Sequence, residues 1–467
     1  MNIRKIIGIV VMGAAIFTNI SGVNTVASAA ENNTESTSAT STAWPKGPKV
    51  GSKSAVLMDV DSGTVLYNKK GDTKHYPASI TKVMTALVAL EHSKLTDTVT
   101  FSQDAVAQSY GGTSSISRDV GEKMTMEETL YGMMLESANE CAWAIAEHVG
   151  GTEENFIKMM NEKAKELGCT HTHFHNPNGL PDDQHWTTAL DMARISRAAY
   201  QNPTFAKICG TKHYIIPPTN KHKDETYLNN HHCMLNFYHT SRYLYDYCVG
   251  GKTGYTTKAN STLVTYARKD GMTLVCVVMC AKSPDHWNDT RKLIDWGFKN
   301  FKNVKVSELK DLSQATDKLG STTYGADSTL IEPSEDGSVM LPKKAELSEV
   351  DMTVEKSSSA SKNIVGLLVF SYDGRKVGTT QLLSTEREDS VYPFHNLSTS
   401  TNDGKNGFLQ LNILLIVVIA AIALAIAIGL FFLLKNILWA VQRKRRDSYS
   451  DKKGRIKYKK IRNNQRK

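Results

Sequence analysis

Pro77-Ala78-Ser79-Ile80-Thr81-Lys82-Val83-Met84-Thr85-Ala86-Leu87-Val88-Ala89-Leu90-Glu91 is the stretch on which the reading of this chain turns. A proline followed by a long run without Gly or Pro predicts a helix over Ala78–Glu91. Its apolar members, Ile80, Val83, Met84, Leu87, Val88 and Leu90, cover most of the circumference. A helix apolar nearly all round is buried, so this one threads the core of its domain. Ser79 and Lys82 stand three apart, on one face and within reach of each other. Backbone N–H groups in a first turn have no helical partner and can receive a developing oxyanion. A lysine held among apolar residues gives up its proton more readily and can then activate the serine. Taken alone, Ser-x-x-Lys is a weak signal, because a helix-start serine and a surface lysine produce it by chance.

Two further elements suit the same chemistry. Ser137-Ala138-Asn139 sits at a junction between helical stretches and offers a second hydroxyl and a carboxamide. Lys252-Thr253-Gly254 precedes a hairpin, where a strand edge presents a cation and a hydroxyl to a carboxylate. Its glycine admits a ligand backbone at close range. The hairpin is read from Thr262–Ala267 and Thr273–Cys280 around Lys269-Asp270-Gly271. A second pair of strands, Ser54–Val60 and Thr64–Tyr67, flanks Asp61-Ser62-Gly63. Between the pairs, helices are expected over Glu127–His148, Glu153–Leu167 and Thr188–Tyr200. Strands at both ends of a helical middle make an α+β domain over residues 51–300.

A chain of 467 residues has room for roughly three compact units. With 40% hydrophobic and 22% charged residues it is neither disordered throughout nor collagen-like. The net charge of +9 is local: Lys435–Lys467 holds 14 Lys and Arg against two Asp, and Arg4 and Lys5 add to it. The rest is mildly acidic, so nucleic acid is not an expected partner. Residues 1–30 join that basic start to an apolar run and to small residues at Ala27–Ala30, the pattern of a cleaved secretory signal; a retained anchor is the alternative. Leu411–Leu434 is 24 residues long with Asn412 as its one strongly polar member. At 1.5 Å per residue it reaches about 36 Å, enough to cross a bilayer. Arg443–Arg446 and the tail 435–467 then lie in the cytoplasm beside anionic lipid headgroups, with the large N-terminal part outside the cell.

Residues 31–50 read as a flexible leader and 396–410 as a polar linker. Over 303–395, short alternating segments (Leu347–Val354, Val365–Ser371, Lys376–Leu382) predict a small all-β domain. The seven cysteines all fall in the exported part without a Cys-x-x-Cys pair, and read as small buried hydrophobes with one disulfide left open.

The three elements, in this order, resemble the signature of β-lactamases and penicillin-binding proteins. More closely, the chain resembles the low-molecular-mass penicillin-binding proteins that act as serine-type D-alanyl-D-alanine carboxypeptidases. Ala55–Tyr67, Tyr76–Glu91, Met134–Gly150, Phe174–Leu180, Thr187–Arg194, Gly250–Thr256 and Lys292–Phe298 all carry the likeness, which covers roughly residues 50–300. It implies the transpeptidase-like fold of that family, an antiparallel sheet with a helical cluster. It implies Ser79 as acylated nucleophile, Lys82 as general base and Ser137 as proton relay to the leaving group. Asn139 would hold the substrate peptide, Lys252 and Thr253 its terminal carboxylate, with Gly254 beside them. The backbone N–H groups of Ser79 and Tyr255 would form the oxyanion hole. Substrate, by the same resemblance, is a peptidoglycan stem peptide ending in D-Ala-D-Ala, with β-lactams as covalent inhibitors and neither cofactor nor metal required.

Two departures from the family pattern stand near the rim. Asn260 and Ser261 follow Ala259 where a glycine and an aromatic are usual, and His286 falls near a common arginine. The rival readings are a β-lactamase, whose E-x-x-L-N element finds no convincing counterpart between Asn139 and Lys252, and a membrane-tethered penicillin sensor or wall-binding scaffold. His171, His173 and His175 alternate as strand ligands would, yet solvation or packing is the expected role. His231 and His232 are adjacent and so poor co-ligands, and Asp182-Asp183 reads as a surface turn.

Overall fold

The computed structural model describes residues 44–306, 331–334, 337–356 and 364–384. Strand β1 (Ser54–Asp59) turns back antiparallel into β2 (Val65–Lys69), as the alternation around Asp61-Ser62-Gly63 predicts. A 3₁₀ turn, Ala78–Thr81, leads into α1 (Lys82–His92). There follow β3 (Thr98–Thr100), α2 (Gln103–Ala107), β4 (Lys123–Thr125), α3 (Met126–Leu135), α4 (Asn139–Gly150) and α5 (Glu153–Glu166). After them come α6 (Ala189–Tyr200), α7 (Pro203–Gly210), and the small hairpin β5 (His213–Ile216) and β6 (Thr226–Asn229). The chain then returns to the main sheet through β7 (Cys248–Thr256), β8 (Asn260–Lys269) and β9 (Met272–Ala281), and closes with α8 (Asp285–Asn300).

The sheet runs β2-β1-β9-β8-β7, antiparallel throughout. Its centre is covered on both faces, so period-two alternation sorts side chains into two apolar layers. Val275, Val277 and Met279 of β9, with Val56 and Met58 of β1, pack into the cluster holding α1, α4 and α6. Leu274, Cys276 and Val278, with Ala55 and Leu57, pack against Leu293, Ile294 and Phe298 of α8. Every residue of α1 from Lys82 to Ala89 is buried, as its apolar circumference requires. All seven cysteines are free thiols, five of them buried.

Two helix expectations need correction. The stretch Ala78–Glu91 is a 3₁₀ turn followed by an α-helix, because Ala78 adopts φ +51° and Thr81 Oγ1 donates back to the Ala78 carbonyl at 2.9 Å. The stretch Glu127–His148 is two helices, α3 and α4, broken where Ser137 takes φ +61°. The Asn139 N–H then donates to the Ser114 carbonyl at 2.9 Å, which ties the break to a loop across the cleft. A capping box at Thr125 and Glu128 starts α3.

A second antiparallel sheet opens at Phe301. Its strands are β10 (Phe301–Lys305), β11 (Ile331–Pro333), β12 (Ser338–Pro342), β13 (Asp351–Lys356), β14 (Ile364–Tyr372) and β15 (Arg375–Ser384), in the order β10-β12-β15-β14-β13 with β11 on β15. Leu347–Glu349, expected at the start of a strand, is a 3₁₀ turn ahead of β13. The β14–β15 turn, Asp373-Gly374, has positive φ at both residues, which is what a two-residue hairpin matching the strand twist demands. Part of the expected leader is packed rather than flexible: Trp44 lies 5.0 Å from the Phe301 ring, donates to the Leu66 carbonyl at 3.1 Å and carries the Arg375 guanidinium on its face. The expected signal 1–30, linker 396–410, membrane span 411–434 and tail 435–467 lie outside the described residues. Among the described residues no helix is long and apolar enough to cross a membrane.

One rim departure is explained by the β7–β8 turn. Asn260 sits at φ +57°, in the left-handed region where asparagine follows glycine as the residue best tolerated. Asn260→Val, β-branched in that conformation, is expected to cost about 1–2 kcal/mol, while Asn260→Gly retains stability. Thermal unfolding of the two variants checks this, and an unchanged midpoint for the valine variant would contradict it.

Candidate active site

The 3₁₀ turn places Ser79 half-buried at the floor of a groove of about 1120 Å³. One turn later Lys82 is fully buried, and its Nζ makes three contacts: Ser79 Oγ at 3.1 Å, Asn139 Oδ1 at 2.6 Å and the Asn178 carbonyl at 2.7 Å. Burial, helped by the Lys252 ammonium, holds the Lys82 amine well below the usual lysine range. Among the described residues no carboxylate lies within hydrogen-bond distance of it. Two carbonyl oxygens accept its N–H bonds, and with the amine neutral its lone pair is left for the Ser79 hydroxyl proton.

Ser137 and Asn139 enter from the break between α3 and α4, and both line the groove. Ser137 takes a left-handed backbone, and among the described residues its hydroxyl has no hydrogen-bond partner, so it is open to the groove that Ser79 also lines. From the other wall, β7 brings Thr253, Gly254 and Tyr255 to the same groove. Lys252 is 2% exposed, donates to the Thr253 carbonyl at 3.0 Å, and is pushed down to about 7 by burial, with Glu136 opposing the shift.

Two glycines set how closely these walls meet. A Cβ at Gly254 would overlap Thr262 Oγ1 and come within 2.9 Å of the Ser79 nitrogen. Gly179 sits at φ +88°; a Cβ there would overlap the Ala78 carbonyl and lie 3.0 Å from the Ser79 nitrogen. Thr262 Oγ1 donates to the Pro77 carbonyl at 2.8 Å and fixes β8 to the turn.

Sequence reasoning brought Ser79, Lys82, Ser137, Asn139, Lys252, Thr253, Gly254 and Tyr255 forward, and the fold gathers all eight. It missed the loop that holds Lys82 from behind. In Asn176-Pro177-Asn178-Gly179, Thr85 Oγ1 donates to the Pro177 carbonyl at 2.6 Å and Asn176 Oδ1 accepts from the Gly179 N–H at 2.7 Å. His185 fastens that loop to the 3₁₀ turn. Its Nδ1 accepts the His175 N–H at 2.9 Å, and its Nε2 lies 2.9 Å from Thr81 Oγ1, whose proton already goes to Ala78. Nε2 therefore carries the hydrogen, and burial holds the ring neutral, with its pKa lowered to about 3. The Asn-Pro-Asn-Gly run was the one available signal.

The remaining histidines have packing or surface partners. His173 stacks on Trp186, His175 lies 3.9 Å from Asp182, and exposed His171 bonds Thr170. His232 is buried behind β7 with Thr265 Oγ1 at 2.9 Å, and His231 pairs with Glu136 at 2.6 Å. His286, at the second rim departure, lines the groove with its Nδ1 buried and unbonded.

A serine hydroxyl beside a buried amine of lowered basicity, faced across a peptide-sized groove by a strand that carries a second buried lysine, is the site of a serine acyl-transfer enzyme. The sequence profile of the D-alanyl-D-alanine carboxypeptidase family matches residues 38–283, and the chain belongs to that family. The D-alanyl-D-alanine carboxypeptidase DacF of Bacillus subtilis is 32% identical over 347 residues, covering 72% of this chain and 85% of that protein. DacB2 of Mycobacterium tuberculosis, a D-alanyl-D-alanine carboxypeptidase by name, is 34% identical over 57% of this chain and 87% of its own length. The crystal structure of the Streptomyces K15 DD-transpeptidase aligns with a TM-score of 0.50 at 29% identity, over 55% of this chain and all of that one. The fold is that of the penicillin-binding proteins, as the three motifs imply.

Proposed function

We propose that this enzyme removes the terminal D-alanine from peptidoglycan stem pentapeptides, and that β-lactams acylate the same serine. The observation that carries the reading is the Lys82 amine, fully buried and 3.1 Å from Ser79 Oγ. Neutral Lys82 takes the Ser79 proton as Oγ attacks the carbonyl of the penultimate D-alanine. The oxyanion is received by the Ser79 and Tyr255 N–H groups, in the gap that Gly254 keeps open. Ser137 passes the proton from Lys82 to the departing amine, the C–N bond breaks, and D-alanine leaves. Water, deprotonated by Lys82, then splits the Ser79 ester. Asn139 holds the peptide, and Lys252 with Thr253 grips its terminal carboxylate, whose charge returns Lys252 toward its ordinary range.

The direct test is to incubate the protein with a peptide ending in D-Ala-D-Ala and with penicillin. Free D-alanine and a penicillin adduct mapped to Ser79 are expected; neither appearing would reject the reading. An adduct that clears within seconds would favour a β-lactamase instead.

The pH profile follows from the lysines. Lys82 works unprotonated, so acylation falls as pH drops through its depressed pKa. Lys252→Gln removes a cation that helps depress Lys82, so the Lys82 pKa rises and the acid limb moves to higher pH. Second-order acylation rates measured against pH decide this; a limb that stays put or moves down would contradict the assignment of Lys82 as base.

We also place the catalytic part outside the cell, anchored through 411–434 with 435–467 in the cytoplasm. Sequence alone supports this, through the hydrophobic runs and the position of the basic residues. On carbonate extraction the full chain should stay with membranes while a chain ending before Leu411 is released; release of both would refute the anchor.

A further inference from the structure

Beside the cleft lies a second hollow of about 380 Å³ that the catalytic machinery does not use. Lys53, Lys74 and Lys258 bring three ammonium groups to it, and Asp183 is the one acid among its lining residues. Asp183 is already committed, accepting from Lys258 Nζ and from the Tyr76 hydroxyl, each at 2.8 Å. Two of the cations lie on aromatic faces: Lys74 stands 4.7 Å from the Trp186 ring centre and Lys258 5.3 Å from that of Tyr76. Contacts of that kind limit where long side chains wander and keep their charge at the hollow. The hollow thus carries a net positive charge over a partly apolar floor.

Its position gives that charge a use. Lys258 lines both the hollow and the catalytic groove. In the reading above, the substrate's terminal carboxylate lies at Lys252 and Thr253, and the reacting carbonyl lies by Ser79 and Gly254. Beyond Gly254 the chain continues through Tyr255 and Thr256 to Lys258, so a peptide laid antiparallel on β7 leads its upstream residues toward Lys258. A cleft with the cationic hollow at that end selects peptides that carry negative charge ahead of the scissile bond.

We propose that this hollow is a carboxylate subsite, which engages an acidic group of the substrate peptide upstream of its D-alanyl-D-alanine end. The inference rests on the proposed carboxypeptidase reading, and it assigns to Lys53 and Lys74 a role in specificity rather than in the reaction. Both lie outside the groove, so replacing them leaves the chemical step untouched.

The test compares two peptides that differ by one carboxylate, Nα,Nε-diacetyl-L-lysyl-D-alanyl-D-alanine and its Nε-succinyl counterpart. The full-length protein is expected to release D-alanine from both, with kcat/KM about fivefold higher for the succinylated peptide at low salt, carried by KM. The preference should vanish in about 0.5 M salt. The double variant Lys53→Gln/Lys74→Gln should lose the preference and keep wild-type rates on the diacetyl peptide. Equal wild-type rates on the two peptides, or a preference that survives in the double variant, would overturn the subsite while leaving the carboxypeptidase reading intact. Release from neither peptide would overturn both. Poly(glycerol phosphate) supplies the contrasting anion: a double variant that loses retention on that polymer but keeps the peptide preference would show the hollow to serve wall phosphates, and the proposal would fall.

Discussion

Ser79→Ala is expected to end D-alanine release and penicillin acylation outright, and Lys82→Gln to lower both by about 10³-fold, within the range assigned to general-base removal. The two variants separate the attacking atom from the base that frees it. Alanine leaves no nucleophile, whereas glutamine leaves the hydroxyl in place without a lone pair basic enough to take its proton. Glutamine can still donate to Asn139 Oδ1 and the Asn178 carbonyl, the acceptors that Lys82 Nζ contacts at 2.6 and 2.7 Å, so the surrounding loops keep a partner. Both proteins should therefore unfold near the wild-type midpoint. Rates of D-alanine release, read beside thermal melts, check the prediction. Full activity in either folded variant would remove the Ser79–Lys82 pair from the mechanism.

The second large effect is expected at a residue that has no side chain at all. Gly179→Ala should lower acylation by 10²-fold or more, because a methyl group there has no space and no permitted backbone. The clash is with the carbonyl of Ala78, main chain against main chain, so no side-chain rotation relieves it. The loop must lift, and it carries the Asn178 carbonyl off Lys82 and unseats the turn that presents the Ser79 N–H. A shift of about 1 Å in such a site costs on the order of 10² in rate. Strain at φ +88° adds a stability loss, so a lowered melting temperature should accompany the fall. The check is the penicillin acylation rate of variant that remains folded at the assay temperature. A wild-type rate would mean that the loop does not position the amine.

Much of the fold can be read along the chain. The apolar circumference of α1, the Asp-Gly turns of two hairpins, the apolar run of β9 and the caps of α3 and α6 are local properties, because propensity and burial pattern act over one or two turns. The three motifs are local too, and the resemblance they carry extends across the helices and strands between them. Other features were illegible for a physical reason. The left-handed residues Ala78 and Ser137 are not glycine or asparagine, so nothing in their chemistry announces a break. The order of Asn178 and Gly179 matters through what packs on them, and His185 takes its tautomer from partners 10 and 104 residues away.

By itself, then, the amino-acid order determined which chemical groups this protein owns, which helix is buried, where the hairpins turn, and to which family the chain is similar. Tertiary structure decided that Ser79, Ser137 and Thr253 share one groove, that Lys82 meets Ser79, Asn139 and the Asn178 carbonyl, and that three surface lysines converge beside that groove. Spacing along a chain limits only near neighbours. The distance between residues a hundred positions apart is set by which backbones can touch, and here two glycines allow that contact.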